Sequence, residues 1–182
     1  MKSKEDSILE LFYNSSKHWH FEEIMEHANI SRPQLAKWLR TLENEGIIKR
    51  IKPKGKMPYY VHDFHNPKFS VRKRLYAQQK LALSGLLDHL ASLDKAKVVI
   101  LFGSFSRWDW YKDSDIDIFI YGSDDEFKQG KFELKLHRDI QVHIAKDKND
   151  LKRMDKMMPY IVSGNFIKGS IDDLGVEISA KA

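Results

Sequence analysis

Two short apolar runs, 98–102 and 118–121, frame the stretch of the sequence that most restricts its fold. The first run stops at Gly103-Ser104, and the second directly follows Asp115-Ile116-Asp117. Runs of β-branched and aromatic residues bounded by Gly and Ser are typical of buried strands. Because side chains alternate across a strand, Asp115 and Asp117 are predicted to share one face of the second strand. Two carboxylates on one face repel each other unless a cation lies between them. Oxygen ligands of this kind suit Mg²⁺, particularly where a phosphate completes its coordination.

The Gly-Ser pair at the end of the first strand predicts a phosphate-binding turn. Gly103 allows a sharp turn that brings the backbone close to a ligand. If a short helix begins at Ser104, its free N–H groups and the positive end of its dipole face a bound phosphate. The Ser104 hydroxyl adds a further donor, and Arg107 adds positive charge. One stretch therefore combines candidate nucleotide-binding residues with a candidate metal-binding pair.

This stretch resembles the Gly-Ser…Asp-x-Asp signature of the polymerase-beta-type nucleotidyltransferases, especially their minimal, stand-alone members. The match covers Gly103, Ser104, Arg107 and Ser114 together with the two aspartates. The resemblance implies a C-terminal domain with a small mixed sheet and flanking helices, a nucleoside triphosphate substrate and Mg²⁺ as cofactor. It departs from the family at Trp108, where a small residue is usual, and that ring either stacks on a base or covers the core. The alternative is a surface hairpin with solvated aspartates, although Asp is disfavoured in strands.

The third carboxylate of this superfamily is missing from its expected position. The resemblance implies a later strand, which here is the run 140–144, and the expected position holds Gln141. Glutamine brings no negative charge and cannot act as a base. Asp139 lies two residues earlier on the same face, which His143 shares. We expect Asp139 to be the substitute catalytic carboxylate, with robust nucleotide binding and slow transfer.

The charge of the chain is unevenly distributed. Residues 1–80 hold 16 Lys and Arg against 9 Asp and Glu, whereas residues 81–182 hold 15 against 17. A basic half joined to a slightly acidic half suggests a nucleic-acid-binding module attached to another domain. The absence of cysteine excludes a disulfide framework and a cysteine-bound zinc site. There is no signal-peptide core near the N-terminus and no run of about 20 apolar residues, so we expect a cytoplasmic, soluble protein without membrane attachment.

Three short amphipathic helices and two strand-like runs are predicted in the basic half. Apolar residues recur at helical spacing in 5–13 and 21–28, and Ser31 can cap a third helix that ends at Gly46. The strand-like runs 47–51 and 59–61 then flank a loop rich in Lys, Pro and Gly. This pattern resembles a winged helix-turn-helix domain, assigned to residues 1–66.

The winged-helix resemblance implies contacts with duplex DNA. Three residues of the third helix would face base edges, namely Arg32, Gln34 and Lys37. Three lysines of the loop, the wing lysines, would contact phosphates: Lys52, Lys54 and Lys56. The alternatives are an ordinary solvated face, a dimerisation domain or a protein-binding domain.

A domain boundary is predicted at Asn66-Pro67. Leucines recur beyond it and predict one long helix over about 67–92, within a linker assigned to 67–95. The nucleotidyltransferase-like domain is assigned to 96–182, with a helix in 124–137 and a Met-rich helix over 147–158 whose methionines fill core gaps. The predicted fold class is α/β (α+β).

The leading hypothesis is a magnesium-dependent nucleotidyltransferase coupled to a DNA-binding winged helix. It would move a nucleotidyl group from ATP or another NTP to an acceptor. By resemblance, the acceptor is a protein side chain, as for minimal nucleotidyltransferases paired with a toxin, or RNA, or a small molecule. The rival hypothesis is a DNA-binding transcriptional regulator whose nucleotidyltransferase-like domain only binds or senses a nucleotide. A third is an interaction module that has kept the fold and lost ligand binding. Oligomeric state does not follow from the sequence.

Overall fold

A computed structural model describes residues 3–63, 65–107 and 109–175 of the 182-residue chain. The chain divides into two compact units. The first comprises Met1–Lys73 and Trp110–Lys112, and the second comprises Arg74–Asp109 and Asp113–Ala182. Within the described ranges, none of the helices is both long and apolar enough to cross a lipid bilayer.

The described residues of the first unit form three helices followed by a two-stranded hairpin. Helix α1 spans Lys4–Asn14, α2 spans Phe21–Ala28 and α3 spans Arg32–Asn44. Strands β1, Ile48–Ile51, and β2, Tyr59–His62, are antiparallel. These elements agree with the helices and strand-like runs predicted from the sequence. The winged helix-turn-helix assignment itself stays a prediction.

Local side chains set the ends of these helices. At the start of α1, the backbone N–H of Asp6 donates to the Ser3 hydroxyl oxygen at 3.0 Å. At the start of α2, the backbone N–H of His20 donates to the Glu23 carboxylate at 2.9 Å. Ser31 precedes α3 as predicted, but its hydroxyl donates to the Gln34 side chain instead of accepting a backbone N–H. The inner faces of the helices supply fully buried core side chains, among them Ile8, Phe12, Ile24, Leu35 and Leu42.

The single long helix predicted over 67–92 is divided in two. Helix α4 spans Pro67–Ser84 and α5 spans Leu86–Ala91. Gly85, between them, has a φ of 79°, a left-handed conformation through which an α-helix cannot continue. The prediction of one continuous linker helix is therefore wrong. The boundary between the two units falls within α4, between Lys73 and Arg74.

In the described part of the second unit, four strands form a mixed sheet. They are β3, Ala96–Phe102; β4, Ile116–Gly122; β5, Ile140–Ala145; and β6, Asn165–Lys168. The order is β5-β4-β3-β6, with β4 and β5 parallel and β3 antiparallel to both of its neighbours. The helices are α6, Gly103–Arg107; α7, Gln129–Leu136; α8, Lys148–Arg153; and α9, Met158–Val162, and a short 3-10 helix spans Asp172–Leu174. A mixed α/β unit with a small mixed sheet and flanking helices agrees with the predicted fold class.

The core of the second unit forms around β3, in which every residue except Lys97 is buried. Alternate residues of β3 pack with Phe119 and Tyr121 of β4 in one apolar cluster. Met158 is buried in the same cluster, and two further methionines, Met154 and Met157, pack against it. The predicted core role of these methionines is confirmed, although α8 ends at Arg153, earlier than the predicted helix.

Strand β6 was not predicted because glycines bound a run of only four residues. Gly164 brings the backbone very close to β3, since a Cβ added there would lie 2.5 Å from the carbonyl oxygen of Leu101. Gly169, on the other side, has a φ of 71°. Glycines therefore bound this edge strand on both sides, at positions where the backbone geometry favours glycine. The hydrophobic pattern of the sequence does not reveal that constraint.

Candidate functional site

The turn after β3 brings Gly103 directly against the Asp117 carboxylate. Phe102 pairs with Asp117 across β3 and β4, so the residue after Phe102 starts its turn beside that side chain. Gly103 has a φ of 69°, and a Cβ added there would lie 2.0 Å from Asp117 Oδ2. The space that a side chain would fill at position 103 is therefore occupied by a carboxylate oxygen. Two residues that are fourteen positions apart in sequence thus form one surface.

The Asp117 carboxylate is partly buried, and neighbouring positive groups compensate its charge only in part. Burial raises the pKa of its carboxyl group above the ordinary value, and the nearby charge of Asp115 raises it further. His143 and Arg107 act in the opposite direction. Asp115 itself is exposed and immediately precedes β4. The two aspartates interact, and burial of one of them disfavours its charged form unless a cation is added.

Strand β5 approaches the same aspartate from its other side. The parallel register places Gln141 opposite Asp117 and His143 opposite Phe119. Gln141 is exposed, whereas His143 is partly buried and its Nε2 lies 3.9 Å from Asp117 Oδ1. The His143 ring also meets the Phe102 ring edge-on, with centroids 5.2 Å apart. The side chain that β5 brings to Asp117 is therefore an imidazole.

Asp139, the predicted substitute carboxylate, lies at the entrance to β5. Its side chain is exposed, and its backbone carbonyl accepts a hydrogen bond from Ile116 N–H at 2.9 Å. The groups that shift the pKa of Asp117 are His143, Asp115 and Arg107, and Asp139 is not among them. A catalytic role for Asp139 stays a prediction.

The remaining predicted nucleotide-binding residues lie on α6. Ser104 is partly buried, and Arg107 is exposed at the end of the helix, with its Nε 3.4 Å from Asp109 Oδ2. The Ser106 hydroxyl donates to the Gly103 carbonyl at 3.0 Å and stabilises the turn. Trp108, whose ring was predicted either to stack on a base or to cover the core, lies outside the described residues.

Several side chains that hold the site in place have no signature in the sequence. The Arg138 guanidinium donates to the backbone carbonyl of Ser114 at 2.9 Å and lies over the Phe105 ring at 5.0 Å. At the start of β5, Gln129 donates to the carbonyl of Ile140 while Glu133 accepts from its N–H. These contacts hold the segment before β4 and the edge strand β5. Each of these hydrogen bonds joins a side chain to a backbone atom 7 to 24 residues away, and motif spacing does not reveal such pairs.

The donor set suits a divalent ion that is completed by substrate. Within the described ranges, there is no group of three or more His, Cys, Asp or Glu side chains placed to hold a metal ion. Mg²⁺ is commonly bound through one or two carboxylates with phosphate and water oxygens filling the other positions. The desolvated carboxylate of Asp117, beside Asp115, fits that mode of binding.

A comparison with protein family models independently supports the nucleotidyltransferase resemblance of this part of the chain. Residues 86–171 match the family model described as Polymerase beta, Nucleotidyltransferase. The matched range contains the Gly-Ser turn, both aspartates and the four strands of the mixed sheet. The match suggests nucleotidyl transfer at the level of the family, whose domains typically use divalent metals. It begins at residue 86, so the segment Met1–Lys73 of the first unit lies outside it. Comparisons with curated proteins and with solved structures gave no match.

The predicted DNA-contacting residues of the first unit are all exposed. On α3, Arg32 forms an ion pair with Glu22 at 2.5 Å and lies over the Phe21 ring at 5.3 Å. Gln34 accepts a hydrogen bond from the Ser31 hydroxyl at 3.1 Å. Lys37 and the wing lysines project from the surface, the latter from the loop between β1 and β2. This arrangement is an accessible basic surface, and its DNA binding stays a prediction.

Proposed function

We propose that the chain is a magnesium-dependent nucleotidyltransferase that transfers a nucleotidyl group from ATP or another nucleoside triphosphate to an acceptor. The observation that carries this proposal is the close approach of the Gly103 backbone to the Asp117 carboxylate. It lies in a domain that matches a nucleotidyltransferase family model. This approach combines a side-chain-free turn, suited to a phosphate, with a partly buried carboxylate whose charge is only partly compensated by His143 and Arg107.

Each residue of this site has a proposed role. The backbone at Gly103 and the hydroxyl of Ser104 bind the terminal phosphates, and Arg107 contributes positive charge. Asp115 and Asp117 hold the metal ion. Mg²⁺ held by these two carboxylates would neutralise the triphosphate and align attack on its α-phosphorus. An acceptor oxygen then attacks that phosphorus, pyrophosphate leaves, and Asp139 accepts the acceptor proton.

We infer a second activity, duplex DNA binding, for the first unit. Its three helices and hairpin have the element order of a winged helix-turn-helix domain, and the basic side chains predicted to contact DNA are exposed. In that arrangement, Arg32, Gln34 and Lys37 read base edges while the wing lysines bind phosphates. The acceptor of the nucleotidyl group is a protein side chain, an RNA or a small molecule.

One observation favours a regulatory alternative. Gln141 lies opposite Asp117 in the register where the superfamily places a third carboxylate. Loss of that charge weakens activation of the acceptor more than triphosphate binding. A DNA-binding regulator that senses a nucleotide without transferring it is therefore the second candidate.

Incubation with α-labelled ATP and cell extract tests transfer directly. A labelled protein, RNA or small molecule that requires Mg²⁺ supports the enzyme. The control is the variant Asp115→Asn with Asp117→Asn, which keeps side-chain size and removes both charges. Mg²⁺-dependent ATP binding without any label transfer would favour the sensor. Equal ATP affinity in the folded double variant would exclude this site.

A further inference from the structure

His143 lies beside the candidate site, although sequence motifs did not assign it there. In the parallel register, the residue opposite Asp117 is Gln141, but Gln141 is exposed. His143, two residues further along β5, has its Nε2 at 3.9 Å from Asp117 Oδ1. The edge strand therefore presents a nitrogen donor where a carboxylate oxygen is expected.

The ring of His143 is held in place by packing. Its centroid lies 5.2 Å from that of Phe102 in an edge-on arrangement, and only 19% of its side chain is exposed. Phe102 is also the residue that pairs with Asp117 and precedes Gly103. One aromatic side chain thus adjoins the imidazole, the carboxylate and the turn. Such support limits the orientations open to the ring.

The distance between the two atoms is compatible with a shared ion. Bonds from a divalent metal to imidazole nitrogen and carboxylate oxygen are about 2.1 Å each, so two of them span up to about 4.2 Å. The observed 3.9 Å lies within that span. The right angle of an octahedral site needs the two donors about 3.0 Å apart, so metal binding would draw them together by about 0.9 Å.

We propose that His143 supplies a nitrogen ligand to the divalent ion held by Asp117, and that the site therefore favours Mn²⁺ and related transition ions over Mg²⁺. Imidazole nitrogen suits first-row transition ions, whereas Mg²⁺ prefers oxygen ligands almost throughout its coordination. Mn²⁺ is the transition ion closest to Mg²⁺ in its use of carboxylate and water oxygens, so it can occupy the same site and bind the imidazole as well. The inference rests on the proposed function and refines its metal requirement. Mg²⁺ can still support binding through the carboxylates, but Mn²⁺ gains an additional ligand.

Metal titration of the full chain without nucleotide tests this assignment. Mn²⁺ binding is followed by electron paramagnetic resonance, and Mg²⁺ is added as a competitor. We expect His143→Ala to weaken Mn²⁺ binding by about tenfold or more and to change Mg²⁺ binding much less. His143→Asp should strengthen Mg²⁺ binding and narrow the difference between the two metals. The matched control is His137→Asn, which removes an exposed imidazole at the end of α7 and keeps a residue that tolerates the left-handed backbone there.

Pulsed electron paramagnetic resonance gives a second readout that a structural role would not produce. Bound Mn²⁺ should show coupling to a ¹⁴N nucleus in the wild type and in His137→Asn, and no such coupling in His143→Ala. If His143→Ala does not fold, His143→Gln replaces it, because glutamine offers an oxygen or amide in place of the imidazole.

The outcomes separate this inference from the proposed function. If Mn²⁺ binding is lost in the Asp115→Asn, Asp117→Asn variant but unchanged in His143→Ala, and no ¹⁴N coupling appears, His143 is not a ligand and the enzyme proposal stands. If wild type binds no divalent ion at this site, with or without ATP, the proposed function fails as well. If ¹⁴N coupling is present in the wild type and absent in His143→Ala, the result supports both the ligand role of His143 and the proposed function.

Discussion

Replacing Gly103 by Ala should destabilise the second unit more than the same change at Gly85. Both glycines have positive φ angles, 69° and 79°, so an alanine at either position incurs the left-handed backbone penalty of about 1–2 kcal/mol. They differ in their surroundings. A Cβ at Gly85 meets nothing within 4 Å, whereas a Cβ at Gly103 lies 2.0 Å from Asp117 Oδ2 and 2.8 Å from its Cγ. Gly85→Ala is therefore a matched control for the backbone term alone.

The contact at Gly103 adds a second term, because the Asp117 carboxylate must move. Forcing a side chain away from its preferred rotamer costs about 0.5–1.5 kcal/mol. We therefore expect Gly103→Ala to lower the free energy of unfolding by about 1.5–3.5 kcal/mol and Gly85→Ala by about 1–2 kcal/mol. The displaced carboxylate should also reduce Mg²⁺-dependent ATP binding in Gly103→Ala and leave it unchanged in Gly85→Ala.

A double-mutant cycle identifies the contact responsible. In an Asp117→Ala background the two closest atoms are gone, and the residue-117 Cβ, at 3.1 Å, becomes the nearest of the three. The cost of Gly103→Ala should then fall towards that of Gly85→Ala, which gives a coupling energy between positions 103 and 117. Urea titration measures the free energy of unfolding of each variant. Hydrogen-exchange mass spectrometry then measures the local stability of the amides in β3 and β4. Equal losses for the two glycine variants, or no coupling, would refute the steric account.

Three further predictions address other parts of the chain. Changing the wing lysines to Ala should weaken binding of the full chain to all duplex DNA sequences about equally and reduce the salt slope by about one per lysine, as fluorescence anisotropy at several salt concentrations would reveal. Burial, and then the charge of Lys73, hold the pKa of His62 below its ordinary value of 6.5. As the pH drops below about 6.5, the unfolded chain therefore binds a proton at His62 before the folded chain does, and the free energy of unfolding falls. His62→Leu should flatten that dependence in urea titrations of the first unit, and an unchanged slope would assign it to other groups. Asp139→Asn should lower label transfer by about a hundredfold or more with little effect on ATP affinity. No change there, combined with faster transfer in Gln141→Asp, would favour the sensor.

The elements next to the motif could be predicted because their signals are local. The apolar runs before Gly103 and after Asp117 correspond to β3 and β4, and the alternating run after Asp139 corresponds to β5. Helical spacing likewise gave α1, α2 and α3 to within a few residues. In each case one face of the element is apolar, so the period of the pattern appears directly in the sequence.

The features that were not predicted depend on backbone conformation or on contacts between residues that are distant in sequence. Gly85 interrupts an apolar pattern that continues on both sides of it, and only its left-handed φ shows that two helices meet there. His143 shared a predicted face with Gln141, but the sequence could not show that the imidazole, held by Phe102, is the group that approaches Asp117. The contact between Gly103 and Asp117 follows from strand register, which motif spacing alone does not determine.

The strands of the sheet pair across very different separations in sequence, and this affects how the second unit folds. Phe102, the last residue of β3, is 14 positions from Ile116 of β4 and 63 positions from Asn165 of β6. β3 reaches β4 through α6 and a loop, and β4 reaches β5 through α7, whereas β6 completes the sheet by pairing Lys168 with Val99. Closing a longer loop costs more conformational entropy, and pairing between distant segments is slow. We therefore expect β6 to join last, after the strands that carry Asp117 and His143 have paired. During synthesis, the emerging chain would arrange its candidate site before the ribosome releases the segment that closes the opposite edge of the sheet.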